Sequence, residues 1–141
     1  MAVPYSQSFV IEGRDFAHAG SASTEIKSIL KSLGINAVVI RRVAIAAYEA
    51  EMNAVMYADR ATLTFSVTPE VIRMCVEDRG PGITDIALAM QEGWSTATHE
   101  MREMGFGAGM GLPNIKRNAD EFEIRSEPGK GTRLDIVIYV N

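Results

Sequence analysis

Three features are scarce in this sequence: cysteine, long apolar runs and clustered basic charge. The one cysteine among 141 residues, Cys75, cannot form an internal disulfide, and its place between Met74 and Val76 predicts a buried strand position. No apolar run approaches the roughly 20 residues that span a bilayer, and the amino terminus lacks the regions of a signal peptide. The 14 basic and 18 acidic residues are spread along the chain, so no basic stripe faces a nucleic-acid backbone. We therefore expect a cytoplasmic protein that binds neither nucleic acid nor a membrane.

The sequence does contain enough apolar material for one domain. Hydrophobic residues form 47% of the chain, and the length is near the commonest domain size, so we expect a single domain over residues 1–141. The predicted elements, in order, are a strand at 5–12, helices at 14–34 and 36–59, strands at 61–67 and 71–78, helices at 84–91 and 112–120, and strands at 121–126 and 132–140. Hairpins with intervening helices predict an α+β fold, a two-layer α/β sandwich in which helices cover one face of a mixed sheet.

The first candidate site consists of Glu49 and Asn53, four positions apart in the longest predicted helix. This spacing places both side chains on one helix face, about 40° apart around the axis, while Glu51 points roughly opposite. A carboxylate and a carboxamide on one face offer oxygen ligands for Mg²⁺ and a base for a hydroxyl group. A solvated polar stripe has the same spacing, so the pair alone leaves both interpretations open.

A second candidate site follows the strand at 71–78, in the residues EDRGPG. Gly80 and Gly82 permit a tight turn and a close approach of backbone to a ligand, and Asp78 can accept a hydrogen bond from an exocyclic amine such as that of adenine. A plain turn is the alternative explanation.

The third candidate site is a run of alternating glycines before a predicted helix. Unpaired N–H groups and the positive end of the helix dipole would stabilise a phosphate there. Four glycines in seven residues are costly to order, which favours an anion site over a purely structural role. The spacing matches neither the Rossmann nor the Walker pattern. The run comprises Gly105, Gly107, Gly109 and Gly111, with Leu112 after it. Upstream, the hydroxyls of Ser95 and Thr96 either contact the terminal phosphate or cap a turn.

In this order, the three groups resemble the N, G1 and G2 boxes of the GHKL ATPases. The pattern is Glu49-x-x-x-Asn53, then Asp78-x-Gly80-x-Gly82, then Gly107-Ala108-Gly109-Met110-Gly111-Leu112. Each box alone is a weak indication of the family, whereas the three boxes in this order are a specific one. The resemblance runs from about Glu49 to the final strand. The segments EDRGPGI, EGWSTA, GAGMGLPNIKR and DEFEIRSEPGKGT look most like the small stand-alone Ser/Thr kinases and anti-sigma factors of bacterial partner switching, above all the stressosome switch kinase.

This resemblance implies a Bergerat fold that uses ATP and Mg²⁺. Glu49 would be the catalytic base, Asn53 would hold Mg²⁺, and Asp78 would bind adenine while the glycine-rich segment closes on the phosphates. The other cofactor-binding positions that it implies are Gly80, Gly82, Ser95, Thr96, Gly105, Gly107, Gly109, Gly111, Leu112 and Thr132. The substrate would be a serine or threonine of a STAS-domain protein.

Two other interpretations stay open. In one, ATP sets the conformation of residues 92–105, and the protein sequesters a sigma factor or activates a downstream phosphatase. In the other, the glycine clusters are turns and the domain is a nucleotide-free scaffold. Residues 97–106 form a longer segment than the switch kinase has, and the sequence does not decide between a monomer and a homodimer.

Overall fold

The fold is known from a computed structural model that describes residues 5–82, 90 and 111–141. Its elements are β1 (Tyr5–Glu12), a 3-10 turn (Phe16–His18), α1 (Ser21–Ser32), α2 (Ala37–Tyr57), β2 (Arg60–Val67), β3 (Val71–Arg79), α3 (Gly111–Asn118), β4 (Glu121–Glu127) and β5 (Gly131–Tyr139). The predicted α+β class is confirmed. The helix predicted at 84–91 falls, apart from Met90, outside the described residues.

The five strands form one sheet in the order β1-β2-β3-β5-β4. All four neighbouring pairs among the described strands are antiparallel, so the sheet is antiparallel and the predicted mixed sheet is corrected in this detail. A parallel neighbour needs a crossover that carries the chain back to the end of the sheet where the first strand began. Here β2–β3 and β4–β5 are hairpins, and the two helices between β1 and β2 leave and rejoin the sheet at one end, where Glu12 of β1 pairs with Arg60 of β2.

The two faces of the sheet differ because successive side chains of a strand alternate between them. One face carries the core and is covered by the helices, and its fully buried members include Leu63, Phe65, Ile72, Leu134, Ile136 and Ile138. Met74 and Val76 belong to this face, so Cys75 between them lies on the open face and is only half-buried. The prediction of a buried Cys75 was wrong because it ignored this alternation.

Helix α2 is the centre of the helical layer and contacts four of the five strands as well as both other helices. It begins where predicted, because the Asn36 side chain accepts a hydrogen bond from the Val38 N–H at 2.8 Å. Its far end is held by Arg14, whose guanidinium donates to the Ala58 carbonyl at 2.9 Å. Within the described residues, none of the helices is long and apolar enough to cross a membrane.

The segment predicted as one helix over 14–34 is divided in the structure. Gly20 has a φ of +96°, and α1 starts only after it. At the other end Gly34 has a φ of +73°, which agrees with the predicted stop of the helix. The predicted helix start at residue 14 was wrong, because Arg14 caps the end of α2 and is not part of α1.

Candidate functional site

The carboxylate of Glu49 lies between α2 and α3. It is half-buried and is hydrogen-bonded by the side chain of Asn114, which follows the start of α3 at Gly111. A Cβ added at Gly111 would lie 3.3 Å from Glu49 Oε2, so a larger residue there would crowd the carboxylate. Burial raises the pKa of Glu49 above its usual range, and the Asn114 hydrogen bond partly offsets this effect.

Asn114 is itself held by a neighbour on α3. Arg117 Nη1 donates to Asn114 Oδ1 at 3.1 Å. A carboxamide has one accepting oxygen and one donating NH₂ group, so engagement of the oxygen by Arg117 leaves the NH₂ for Glu49. The result is a chain of contacts from Arg117 through Asn114 to Glu49. Sequence reasoning gave Asn114 no role and missed this chain of contacts, because it joins two helices that are distant in the chain.

Asn53 lies one turn beyond Glu49 and is also half-buried. The predicted shared face of the two residues agrees with the continuous helix from Ala37 to Tyr57. Glu51, between them, points away from this face. Its buried carboxylate accepts hydrogen bonds from Gly20 N (3.1 Å), Ala22 N (3.1 Å) and Ser23 N (3.0 Å), and so caps the start of α1. A carboxylate is well suited to the positive end of a helix.

Asp78 ends the core-facing row of β3 and is held by the next strand. Its Oδ1 accepts the Thr132 N–H at 3.0 Å, and the Thr132 hydroxyl pairs with the Ser126 hydroxyl at 2.9 Å. Burial raises the pKa of Asp78, the Thr132 hydrogen bond lowers it, and the charge of Asp59 raises it again. The structure therefore brings together Asp78 and Thr132, two residues that the family resemblance assigned to one pocket.

The two glycines after Asp78 allow this turn to pack tightly against the rest of the protein. A Cβ added at Gly80 would lie 3.1 Å from the Tyr57 carbonyl oxygen, at the end of α2. Gly82 has a φ of +74°, and a Cβ there would meet the backbone of Glu127. Contacts within the chain thus explain both glycines, so their presence alone does not establish a ligand.

Helix α2 connects the region of the Glu49 carboxylate with the turn that follows Asp78. Glu49 and Asn53 lie on its last turns, and Tyr57 at its end contacts the turn at Gly80. Tyr57 lies eight positions after Glu49, which is about 12 Å along the helix axis. The Glu49 carboxylate and the turn at Gly80 are therefore about two helical turns apart along α2.

The remaining predicted positions divide into two groups. Leu112 is 7% exposed and packs in the core, so only its backbone is available to a ligand. Gly111 begins α3 and lies beside the Glu49 carboxylate. Five predicted site residues lie outside the described residues: Ser95, Thr96, Gly105, Gly107 and Gly109.

Comparison with protein families gives a match to the histidine kinase-like ATPase domain over residues 14–138, nearly the whole chain. The chain belongs to this family. The resemblance to GHKL ATPases is thereby confirmed, and as a domain of this ATPase family the chain uses ATP.

Individual relatives of this histidine kinase-like ATPase domain include a kinase and several anti-sigma factors. The serine/threonine-protein kinase RsbT of Bacillus subtilis (strain 168) is 31% identical over 118 residues, which cover 81% of this chain and 83% of RsbT. The anti-sigma F factor of Thermoanaerobacter sp. (strain X514) is 37% identical over 79 residues, covering 56% of this chain and 52% of that protein. The anti-sigma F factor of Caldanaerobacter subterraneus is 39% identical over 74 residues, or 52% and 45%. The match thus spans most of RsbT but only about half of each anti-sigma factor.

Proposed function

We propose that this chain is an ATP-dependent serine/threonine protein kinase of a bacterial partner-switching system, acting in the cytoplasm on a STAS-domain protein. The observation that carries the proposal is the half-buried Glu49 carboxylate, oriented by Asn114 and separated by two turns of α2 from the Asp78 turn. The similarity to a serine/threonine-protein kinase over 81% of the chain supports it.

Glu49 is the proposed general base. Its carboxylate accepts the proton of a serine or threonine hydroxyl while the hydroxyl oxygen forms a bond to the γ-phosphorus of ATP. The bond from that phosphorus to the bridging oxygen breaks, and ADP leaves with the electron pair. Because burial raises the pKa of Glu49, the carboxylate is a stronger base than an exposed glutamate. Activity should therefore fall as the pH drops through this raised pKa and Glu49 becomes protonated.

Asp78 and Thr132 form the proposed adenine end. Thr132 N–H occupies Asp78 Oδ1, and no donor of the described residues bonds the second oxygen. That oxygen is available to an exocyclic amine, which a carboxylate accepts more strongly than a carboxamide does. The Asp78 end of the site selects adenine, and the Thr132 N–H fixes the direction of the Asp78 carboxylate.

Asn53 is the proposed protein ligand of Mg²⁺. No group of three or more histidine, cysteine or acidic side chains in the described part of the chain is arranged to hold a metal ion. A single carboxamide oxygen suits a cation that takes most of its ligands from phosphates and water, as Mg²⁺ does in phosphoryl-transfer enzymes. When bound, the ion would neutralise charge on the phosphates. Asn53 fixes its position one helical turn from Glu49.

The test is transfer of phosphate from Mg²⁺-ATP to purified STAS-domain proteins of the source organism, followed by mass spectrometry. We expect one added phosphate on a serine or threonine, lost with Glu49→Gln. Hydrolysis of ATP without any transfer to these proteins would overturn the kinase assignment. The matched control is Glu25→Gln, an exposed carboxylate on α1.

Sequestration of a sigma factor is the second candidate, favoured by the similarity to anti-sigma F factors over about half of the chain. Affinity capture with the purified chain, with and without ATP, separates the two. Recovery of a sigma subunit only with ATP would favour sequestration, and recovery of STAS-domain proteins alone would favour the kinase.

A further inference from the structure

A groove between α1 and α2 leads to the proposed base. It has a volume of about 600 Å³, and Glu49 forms one end of it. The α2 residues that line it recur every three or four positions, so they form one stripe along that helix. The apolar members of the stripe are Ala37, Ile40, Ala44, Ile45 and Tyr48, of which Tyr48 is 41% exposed. The groove is therefore an open, apolar surface beside the reacting end of the site.

Three cations border this groove: Lys27 and Lys31 of α1, and Arg41 of α2. All three are exposed, and within the described part of the chain none of them forms an ion pair. Their neighbour Arg42, by contrast, pairs with Asp120 at 3.2 Å. Positive charge is thus gathered here in a chain whose net charge is −4. An acidic partner is the electrostatic complement of such a border.

We propose that this groove docks the protein substrate, through an apolar side chain seated on the α2 stripe and acidic residues facing Lys27, Lys31 and Arg41. The inference rests on the proposed kinase function. A folded substrate must bring its hydroxyl to Glu49, so its surface has to cover whatever adjoins that carboxylate. The groove adjoins Glu49 directly, and it supplies both the apolar area and the charge that a specific, transient contact uses.

The experiment measures KM for the STAS-domain protein and KM for ATP separately. Lys31→Glu and Arg41→Glu should each raise the KM for the protein about three- to tenfold and leave the KM for ATP unchanged. The matched control is Arg73→Glu, an exposed cation on the open face of the sheet, which changes the net charge equally. Ala44→Trp, which fills the groove, should raise the same KM without a change of charge.

High salt distinguishes the electrostatic part of the proposed docking contact from its apolar part. At about 1 M salt, where the screening length is roughly 3 Å, the effects of Lys31→Glu and Arg41→Glu should nearly vanish, whereas that of Ala44→Trp should persist. If all three variants keep the wild-type KM for the protein, the docking groove is overturned while the kinase stands. Failure of the wild type to phosphorylate any STAS-domain protein overturns the kinase assignment and, with it, the substrate proposed for the groove.

Discussion

The two ends of the candidate site hold their carboxylates differently. Asp78 accepts a backbone N–H from Thr132, so the register of two paired strands sets its position. Glu49 accepts from the side chain of Asn114, on a separate helix of eight residues, and Asn114 depends in turn on Arg117. A backbone donor in a sheet has little freedom, whereas a side-chain donor shifts with a rotamer change. The Asp78 end, proposed for adenine, is therefore fixed by the fold, whereas the Glu49 end, proposed for the reaction, is adjustable.

Burial acts in the same direction at both ends. It raises the pKa of Glu49 and of Asp78, and in each case one hydrogen bond lowers the pKa again. The common cause is removal of water from a carboxylate, which disfavours the charged form. The two ends differ in the kind of donor, which is a backbone N–H at Asp78 and a side-chain amide at Glu49.

The largest effect is expected at the reaction end. Glu49→Gln keeps the shape and one acceptor but removes the base, so kcat for transfer to the protein should fall about 10²- to 10⁴-fold. Because Asp78 and Thr132 are untouched, the Kd for ATP should stay within about twofold of wild type. Initial rates by mass spectrometry and calorimetry with ATP measure the two quantities. Full activity in this variant would remove Glu49 from the mechanism.

A third carboxylate, Glu51, extends the comparison to a purely structural case. Three backbone N–H groups at the start of α1 depend on it. Glu51→Leu should lower the free energy of unfolding by roughly 2–4 kcal/mol, because it leaves buried donors unsatisfied. Urea denaturation measures the loss, and Glu25→Gln on the exposed side of α1 is the control. A midpoint equal to wild type would show that water replaces the carboxylate at no cost.

At the recognition end, Asp78→Asn should raise the Kd for ATP about 10- to 100-fold, the effect of losing a charged acceptor. The new carboxamide oxygen can still accept the Thr132 N–H, so the loss should fall on the ligand and not on the fold. Calorimetry and the urea midpoint together check this. Thr132→Val is the comparison variant, since it keeps the backbone N–H and removes only the hydroxyl that meets Ser126. Equal ATP affinity in Asp78→Asn and wild type would contradict the adenine assignment.

Local sequence patterns predicted the elements of this fold well. The capping of α2 by Asn36, the stop at Gly34 and both hairpins follow from chemistry within a few residues, and all are present. The two wrong predictions, the start of α1 and the face of Cys75, depend on contacts between distant parts of the chain. Gly20 and Arg14 serve contacts with α2, and the side of a strand that a residue occupies depends on which neighbours form the core. Such tertiary requirements leave no local pattern.

The candidate site shows the same limit. The spacing of Glu49 and Asn53 on one helix gave their shared face, and the pairing of Asp78 with Thr132 came only from the family resemblance. Asn114 lies inside GAGMGLPNIKR, one of the segments that carry the family resemblance, but the resemblance gave it no role. Its contact with Glu49 joins positions 65 residues apart in number (114 − 49), and it depends on how α3 packs on α2. Periodicity within one segment cannot reveal a partner on another.

The smallest effect is expected from Asn114→Leu, and it tests the adjustable end most directly. The change removes the hydrogen bond that lowers the pKa of Glu49, so burial is left unopposed and this pKa rises. At a given pH more of the base is then protonated, and the acid limb of the pH–rate profile should move to higher pH. Near neutral pH, kcat should fall about tenfold, the effect of one lost hydrogen bond to a charged group. Lys116→Met, an exposed cation on the same helix, is the control.

A double-mutant cycle decides whether Asn114 acts through Glu49. If it does, adding Asn114→Leu to Glu49→Gln should cause no further loss of kcat, because the group being positioned is already gone. Arg117→Met should reproduce part of the single effect, since it frees the Asn114 carboxamide to turn. Additive losses would instead mean that Asn114 supports α3 in general, and the reaction end would then be as rigidly built as the end that holds Asp78.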